Sequence, residues 1–221
     1  MPKKTVCIFA HPDDEAFGPS GTIAKFAQEG EVSLICVTDG NDHTNGTKGL
    51  SDIRKGELKK SASILGVKRV YFLGFPDGEL CNNIYHKIVK KIQKVLDVIK
   101  PDTLITFEPR GVSGHIDHIF CSMISSYIFR ETKHIKKLLY FCIPKLSSNF
   151  MKDYFIYFPP GYSKKEVDLI INVSEFWDLK IKSLKCHQSQ KKDVDEMLGF
   201  MKLAKFFKFF PREEYFLTLK K

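Results

Sequence analysis

Apolar residues follow two rhythms along this chain. Thr5–Ala10 (TVCIFA), Glu31–Thr38 (EVSLICVT), Val70–Leu73, Thr103–Phe107 (TLITF) and Leu138–Ile143 are short, β-branched or aromatic runs of strand length. Between them apolar positions recur at helical spacing. Ile23, Phe26 and Ala27 mark a helix over Gly21–Gln28, and a second covers Ser51–Leu65 with Ser51 as its N-cap and Gly66 as its stop. A third, Ile84–Ile99, lines up Ile84, Ile88, Ile92, Val95 and Ile99 against a lysine-rich face and ends before Pro101, and a fourth runs from about His115 to Phe129. Strands alternating with helices build βαβ units, so the predicted class is α/β, Rossmann-like, with a mostly parallel sheet and helices on both faces. Past Ile143 the alternation fades. Tyr154–Phe158 and Leu169–Val173 are short apolar runs, Val173–Gln188 reads as a helix, 197–210 is rich in Phe and Lys, and Pro159-Pro160-Gly161 suits a surface turn. No linker or internal repeat interrupts the chain, which predicts one domain over residues 1–221.

Composition narrows the class further. With 221 residues, 43% hydrophobic and 28% charged, disordered, collagenous and low-complexity chains are excluded. No apolar stretch approaches membrane-spanning length, and the run after Met1-Pro2-Lys3-Lys4 is too short for a secretion signal, so a cytoplasmic protein is expected. The six cysteines, at 7, 36, 81, 121, 142 and 186, include no CxxC pair, and three lie inside predicted strands. They read as free thiols of a reducing compartment, not as a disulfide framework or a cysteine zinc finger. The net charge of +9 would suit nucleic acid, an anionic membrane surface or an acidic substrate. Lysines spread over several helix faces account for it more simply.

Two clusters carry ligand-type side chains. His11-Pro12-Asp13-Asp14-Glu15 follows the first strand, and Gly114-His115-Ile116-Asp117-His118 follows the fourth. A helix start needs one capping acceptor, whereas the first segment supplies an imidazole and three carboxylates. In the second, the histidines are three apart and share a face once a helix has begun. In the common strand order 3-2-1-4-5 the first and fourth strands are neighbours, and ligands bind beyond their carboxyl ends where the winding reverses. The site is therefore placed there. Two histidines and a carboxylate brought together would form a three-ligand site for a divalent metal, zinc above all, with an open position for water and a further carboxylate to take its proton. Neither GxGxxG nor a phosphate-binding GxxxxGK[ST] occurs, which disfavours NAD and ATP, and no GxSxG elbow supplies a covalent nucleophile.

These residues resemble the PIG-L/LmbE-like family of zinc-dependent N-acetylglucosaminyl deacetylases. The likeness runs through Ala10–Glu15, Gly21–Ala24, Val37–Gly40, Arg54 with Glu57, Leu65–Val67, Phe75–Gly78, Pro101-Asp102, Gly114–His118 and His187–Gln190. It implies His11, Asp14 and His118 as zinc ligands and Asp13 as the general base that later protonates the departing amine. It also implies a proton-bearing His115 that stabilises the oxyanion, Asp117 orienting a histidine, and Arg54 contacting the sugar. Glu15 and Asp39 suit loop amides as well as a site role, Asp77 a turn before Gly78, and His187 a helix end. Asp42–Gly49, Ser113 and residues 144–165 depart from the family pattern in regions that face substrate in the family.

The expected function is thus hydrolysis of an acetamide on an N-acetylated sugar conjugate. Arg54 and the positive balance point to an anionic group on the sugar. The rivals are an amidase built on the same machinery, a basic nucleic-acid-binding protein, and a membrane-surface protein using Lys202, Lys205 and Lys208 interleaved with Phe206, Phe207, Phe209 and Phe210. No nucleic-acid partner is expected, and a homo-oligomer is compatible with the sequence.

Overall fold

The computed structural model describes residues 3–41, 49–148, 157–206 and 212–221. In chain order the first half comprises β1 (Lys4–Phe9), α1 (Asp14–Phe17), α2 (Ser20–Glu29), β2 (Glu31–Thr38), α3 (Leu50–Ile64), β3 (Arg69–Phe75) and α4 (Tyr85–Ile99). The second comprises β4 (Thr103–Phe107), α5 (Gly111–Gly114), α6 (Ile116–Glu131), β5 (Lys137–Cys142), α7 (Lys145–Ser148), β6 (Leu169–Asn172), α8 (Trp177–Leu184), α9 (Lys191–Phe206) and β7 (Glu213–Lys220).

One seven-stranded sheet has the order β3-β2-β1-β4-β5-β7-β6. β1 pairs in parallel with β2 and β4, with Cys7 opposite Leu34 on one side and Ile105 on the other. Strands flanked on both sides and covered on both faces have no polar alternation, which is why TLITF in β4 is buried throughout. The chain winds β1, β2, β3 in one direction and then returns to β4, so the crevice opens beyond Phe9 and Phe107 as the sequence predicts.

Helix ends explain two local outcomes. Gly66 stops α3 as expected: at φ +77° it lets its own amide bond Ser63 and the Val67 amide bond Ala62, a pairing that side chains with a Cβ rarely permit. Ser51, by contrast, is not the N-cap. The helix begins one residue earlier at Leu50, the cap position belongs to Gly49 at φ +84°, and no side chain caps that end.

The tail departs most from expectation. The predicted helix over 173–188 divides into a 3-10 turn at Ser174–Phe176, then α8, then a second turn at Gln188–Gln190. β7 was not anticipated. It inserts antiparallel between β5 and β6, pairing Cys142 with Tyr215 and Ile170 with Tyr215. Its Glu214 carboxylate accepts the Gly21 and Thr22 amides at 3.0 and 2.7 Å, neutralising the open amides at the start of α2, and Lys180 of α8 pairs with Glu214 at 3.1 Å. Gly21 is required here because a Cβ would stand 2.5 Å from that of Val173. The first strand-helix connection is thereby tied to the end of the chain. Among the described residues no helix is long and apolar enough to cross a membrane. The run 154–156 and residues 207–210 of the Phe/Lys-rich segment lie outside the described residues; Tyr157 and Phe158 are described and are not in a strand.

Candidate metal and active site

The loop after β1 is a tight turn. The Asp13 amide donates to the His11 carbonyl at 3.0 Å, and the His11 amide donates to Asp14 Oδ2 at 2.6 Å, so His11 and Asp14 are held toward each other before α1 begins. Across the crevice, His118 enters from the first turn of α6, its ring stacked on Phe107 at the end of β4 with a centroid distance of 4.0 Å. The topology brings the two clusters together. His11 Nδ1 lies 3.1 Å from His118 Nε2, Asp14 Oδ1 lies 3.2 Å from His118 Nε2, and Asp14 Oδ2 lies 3.6 Å from His11 Nδ1.

The far nitrogens of both rings decide what fits between them. His118 Nδ1 is 3.0 Å from the Gly111 carbonyl, which can only accept, so that nitrogen carries the proton. His11 Nε2 faces Asp77 Oδ1 at 2.9 Å and Asp117 Oδ2 at 3.3 Å, which places a proton there too. In the neutral rings two lone pairs then point at one another across 3.1 Å, beside a carboxylate. Such an arrangement calls for a cation, either a proton on His11 Nδ1 or a metal ion. Without a metal, burial would lower the His11 pKa, but Asp117, Asp77 and Asp14 outweigh it and raise it well above the ordinary value. Asp14 is held low in spite of burial, by His118 and His11. The donor set, two imidazole nitrogens and a carboxylate oxygen, fits zinc, and each histidine is oriented by an acceptor on its other nitrogen as metal-binding histidines usually are.

The other predicted residues take up distinct places. Asp13 pairs with Arg54, Oδ2 to Nη2 at 2.9 Å; burial pushes its carboxyl up, against the pull of Arg54. Arg54 is 6% exposed, with Nη1 donating to the Gly40 carbonyl at 2.8 Å and lying 3.4 Å from Asp77. It is neither a solvated helix charge nor a side chain reaching freely into the cleft; both Nη groups hold other protein atoms. Asp117 is buried, reaching His11 and accepting the Gly78 and Leu80 amides.

His115 stands beside both candidate ligand rings. It is the N-cap residue of α6, its Nδ1 accepting the Asp117 amide at 3.1 Å. Burial, then the neighbouring His11 and His118, lower its pKa to about 4. As acceptor of an amide N–H, Nδ1 presents a lone pair, which leaves Nε2 as the ring's N–H.

Several residues gain roles the sequence did not disclose. Asp77, for which the sequence leaves a turn and a site role open, grips His11. Glu108 accepts the Val112 amide at 3.1 Å and the Tyr162 hydroxyl at 2.9 Å, securing the turn whose Gly111 carbonyl orients His118. That turn holds Val112 at φ 64°, ψ −59°, a conformation a β-branched residue adopts only under constraint. Glu15 and His187 are wholly buried and meet at 2.8 Å, while Glu57 accepts both the amide and hydroxyl of Ser189 at 2.8 and 2.6 Å. These two contacts fasten the His187–Gln190 segment against the first loop and α3. Asp39 accepts the Asn41 amide, the loop role anticipated for it. Over the site opens a cleft of about 1550 Å³, walled by Phe17, Phe107, Phe141 and Phe158 and by faces of α3 and α9.

Several known proteins resemble this chain. The family profile described as PIG-L, GlcNAc-PI de-N-acetylase, matches residues 6–128. The probable N-acetyl-alpha-D-glucosaminyl L-malate deacetylase 2 of Bacillus cereus is 29% identical over 201 residues, covering 86% of this chain and 84% of that protein. The diacetylchitobiose deacetylase of Thermococcus kodakarensis is 29% identical over 209 residues, covering 88% and 73%. The solved N,N'-diacetylchitobiose deacetylase from Pyrococcus horikoshii superposes with a TM-score of 0.73 at 26% identity, over 99% of this chain and 84% of that one.

Proposed function

The chain belongs to the PIG-L family, and from that footing we propose that it is a metal-dependent hydrolase that removes the acetyl group from a small N-acetylglucosaminyl conjugate. The observation that carries the reading is the facing pair of lone pairs on His11 and His118, flanked by Asp14 and set beside the Asp13–Arg54 pair at the floor of a cleft. His11, Asp14 and His118 would hold the ion, zinc by its donor set. When bound, a zinc ion with three protein ligands acidifies water and polarises a carbonyl.

The protein side chains supply the rest. Asp13, the one carboxylate of the turn that is paired with Arg54, takes the proton of the attacking water and returns it to the sugar nitrogen as the C–N bond breaks. Arg54 keeps that carboxylate aimed. His115 donates its Nε2 proton as a hydrogen bond to the oxygen that gains charge. Asp77, Asp117 and the Gly111 carbonyl hold the two metal-binding rings in register. The products are acetate and a free amino sugar.

The test is metal analysis of the purified protein together with acetate release from N-acetylglucosaminyl conjugates, set against cleavage of larger amides. One divalent ion per chain and acetate as the product agree with the proposal. Cleavage of larger amides without acetate release would transfer the site to amidase chemistry.

A further inference from the structure

Two helices frame the outer cleft, and each turns one stripe inward. From α3 come Leu50, Ile53, Arg54 and Glu57, at intervals of three, one and three residues; from α9 come Asp193, Glu196, Met197 and Phe200, at the same intervals. The polar ends of the α3 stripe are accounted for, since Arg54 holds Asp13 and Glu57 holds Ser189. Leu50 and Ile53 are not. They precede Arg54 by four residues and by one, about 6 and 1.5 Å along the axis, and line the same cleft. Ile53 is 51% exposed, a large apolar side chain kept at the cleft instead of in the core. Met197 and Phe200 are half-buried opposite.

The charge around this space is of the opposite sign to that of the whole chain. Among the described residues lining the cleft, Asp13, Asp14, Glu57, Asp77, Asp193 and Glu196 face only two side-chain cations, Arg54 and Lys192. Both Nη groups of Arg54 already hold protein acceptors. A divalent ion at His11, Asp14 and His118 would still leave the balance negative. An anion passing these described residues meets carboxylates in excess of cations.

From this juxtaposition we infer that the space between α3 and α9 is a subsite for an uncharged, apolar aglycone, and that it discriminates against anionic ones. The inference rests on the deacetylase reading above and reverses the preference that Arg54 and the net charge suggested in the sequence. Apolar contact with Leu50, Ile53, Met197 and Phe200 would retain the aglycone, while Asp193 and Glu196 exclude a carboxylate or phosphate.

The experiment uses the metal-loaded full chain and three glycosides of N-acetylglucosamine: methyl, n-octyl, and an ω-carboxyalkyl of the same length as octyl. The n-octyl glycoside is expected to exceed each of the others in kcat/KM by about tenfold or more, since each buried methylene is worth roughly a factor of three to four. Ile53→Asn and Met197→Gln, on opposite walls, should each lower the octyl-to-methyl ratio, and Asp193→Asn combined with Glu196→Gln should narrow the gap between octyl and carboxyalkyl. Equal kcat/KM for all three, or a preference for the carboxyalkyl glycoside, overturns the subsite and leaves the deacetylase reading standing. Calorimetric binding of the corresponding amine products separates the remaining case. Tighter octyl binding without acetate release from any glycoside supports the subsite and overturns the proposed chemistry, and equal binding of octyl and methyl amines overturns the subsite.

Discussion

The Asp13 carboxylate and the Arg54 guanidinium meet at 2.9 Å in the floor of the cleft, and the same guanidinium bonds the Gly40 carbonyl. An ammonium cannot reproduce that fork. Arg54→Lys is therefore expected to lower kcat by roughly 10- to 100-fold, the scale of a catalytic group displaced by about an ångström, with KM for the methyl glycoside little changed. Steady-state kinetics on metal-loaded protein decides it. A raised KM at unchanged kcat would put Arg54 on the sugar, as the family resemblance implied.

Asp13→Asn should retain the metal and lose roughly 10²- to 10⁴-fold in rate, the usual contribution of a positioned acid–base group. Metal content and kcat are measured on the same preparation. Full activity in this variant would move the proton transfer to another residue.

Ligand binding to the folded state alone stabilises it, by about 2.7 kcal/mol at a free concentration one hundred times Kd. Adding zinc to chelator-treated parent protein should raise its Tm accordingly. His11→Ala and His118→Ala should each abolish the increment, because each removes one of three converging ligands. An undiminished zinc response in both would show that the ion binds elsewhere.

The Glu15–His187 pair makes stability depend on pH. Burial alone would lower the His187 pKa, but Glu15 outweighs it and raises it above its ordinary 6.5. A group whose pKa is raised by folding contributes stability that is fully present below its unfolded value, roughly 6.5, and lost as pH climbs through the folded one. Denaturant unfolding should therefore show a decline in stability as pH rises above about 6.5. His187→Gln, which loses the titrating group, should flatten that decline; an unchanged slope would assign it to other groups.

Much of this arrangement could be read from the chain. Strand and helix rhythm gave the order of the first five strands, and that order alone brought His11 and His118 to one crevice. What escaped was contact between segments whose local pattern has another use. Asp77 before Gly78 looks like a turn until the loop after β3 folds over the His11 ring. His187 looks like a helix end until Glu15 is found 2.8 Å away. β7 was missed because its charged ends and its position after a Phe/Lys-rich segment obscure the alternation, and antiparallel insertion between two earlier strands leaves no local signal. Net charge is a weak guide for a related reason: it is a sum over the chain, while a ligand meets only the residues that folding gathers.

Synthesis delivers residues in order, and β7 is the last strand of the sheet to be made. The five parallel strands can pair as they emerge, yet β6 must wait for β7, the strand it hydrogen-bonds, and the open amides of α2 must wait for Glu214. His11 and the short helix α1, which begins at Asp14, lead into that helix. A nascent chain stalled before residue 213 would thus hold His11 and Asp14 on an unfastened segment, so this part of the site settles only after β7 has been made.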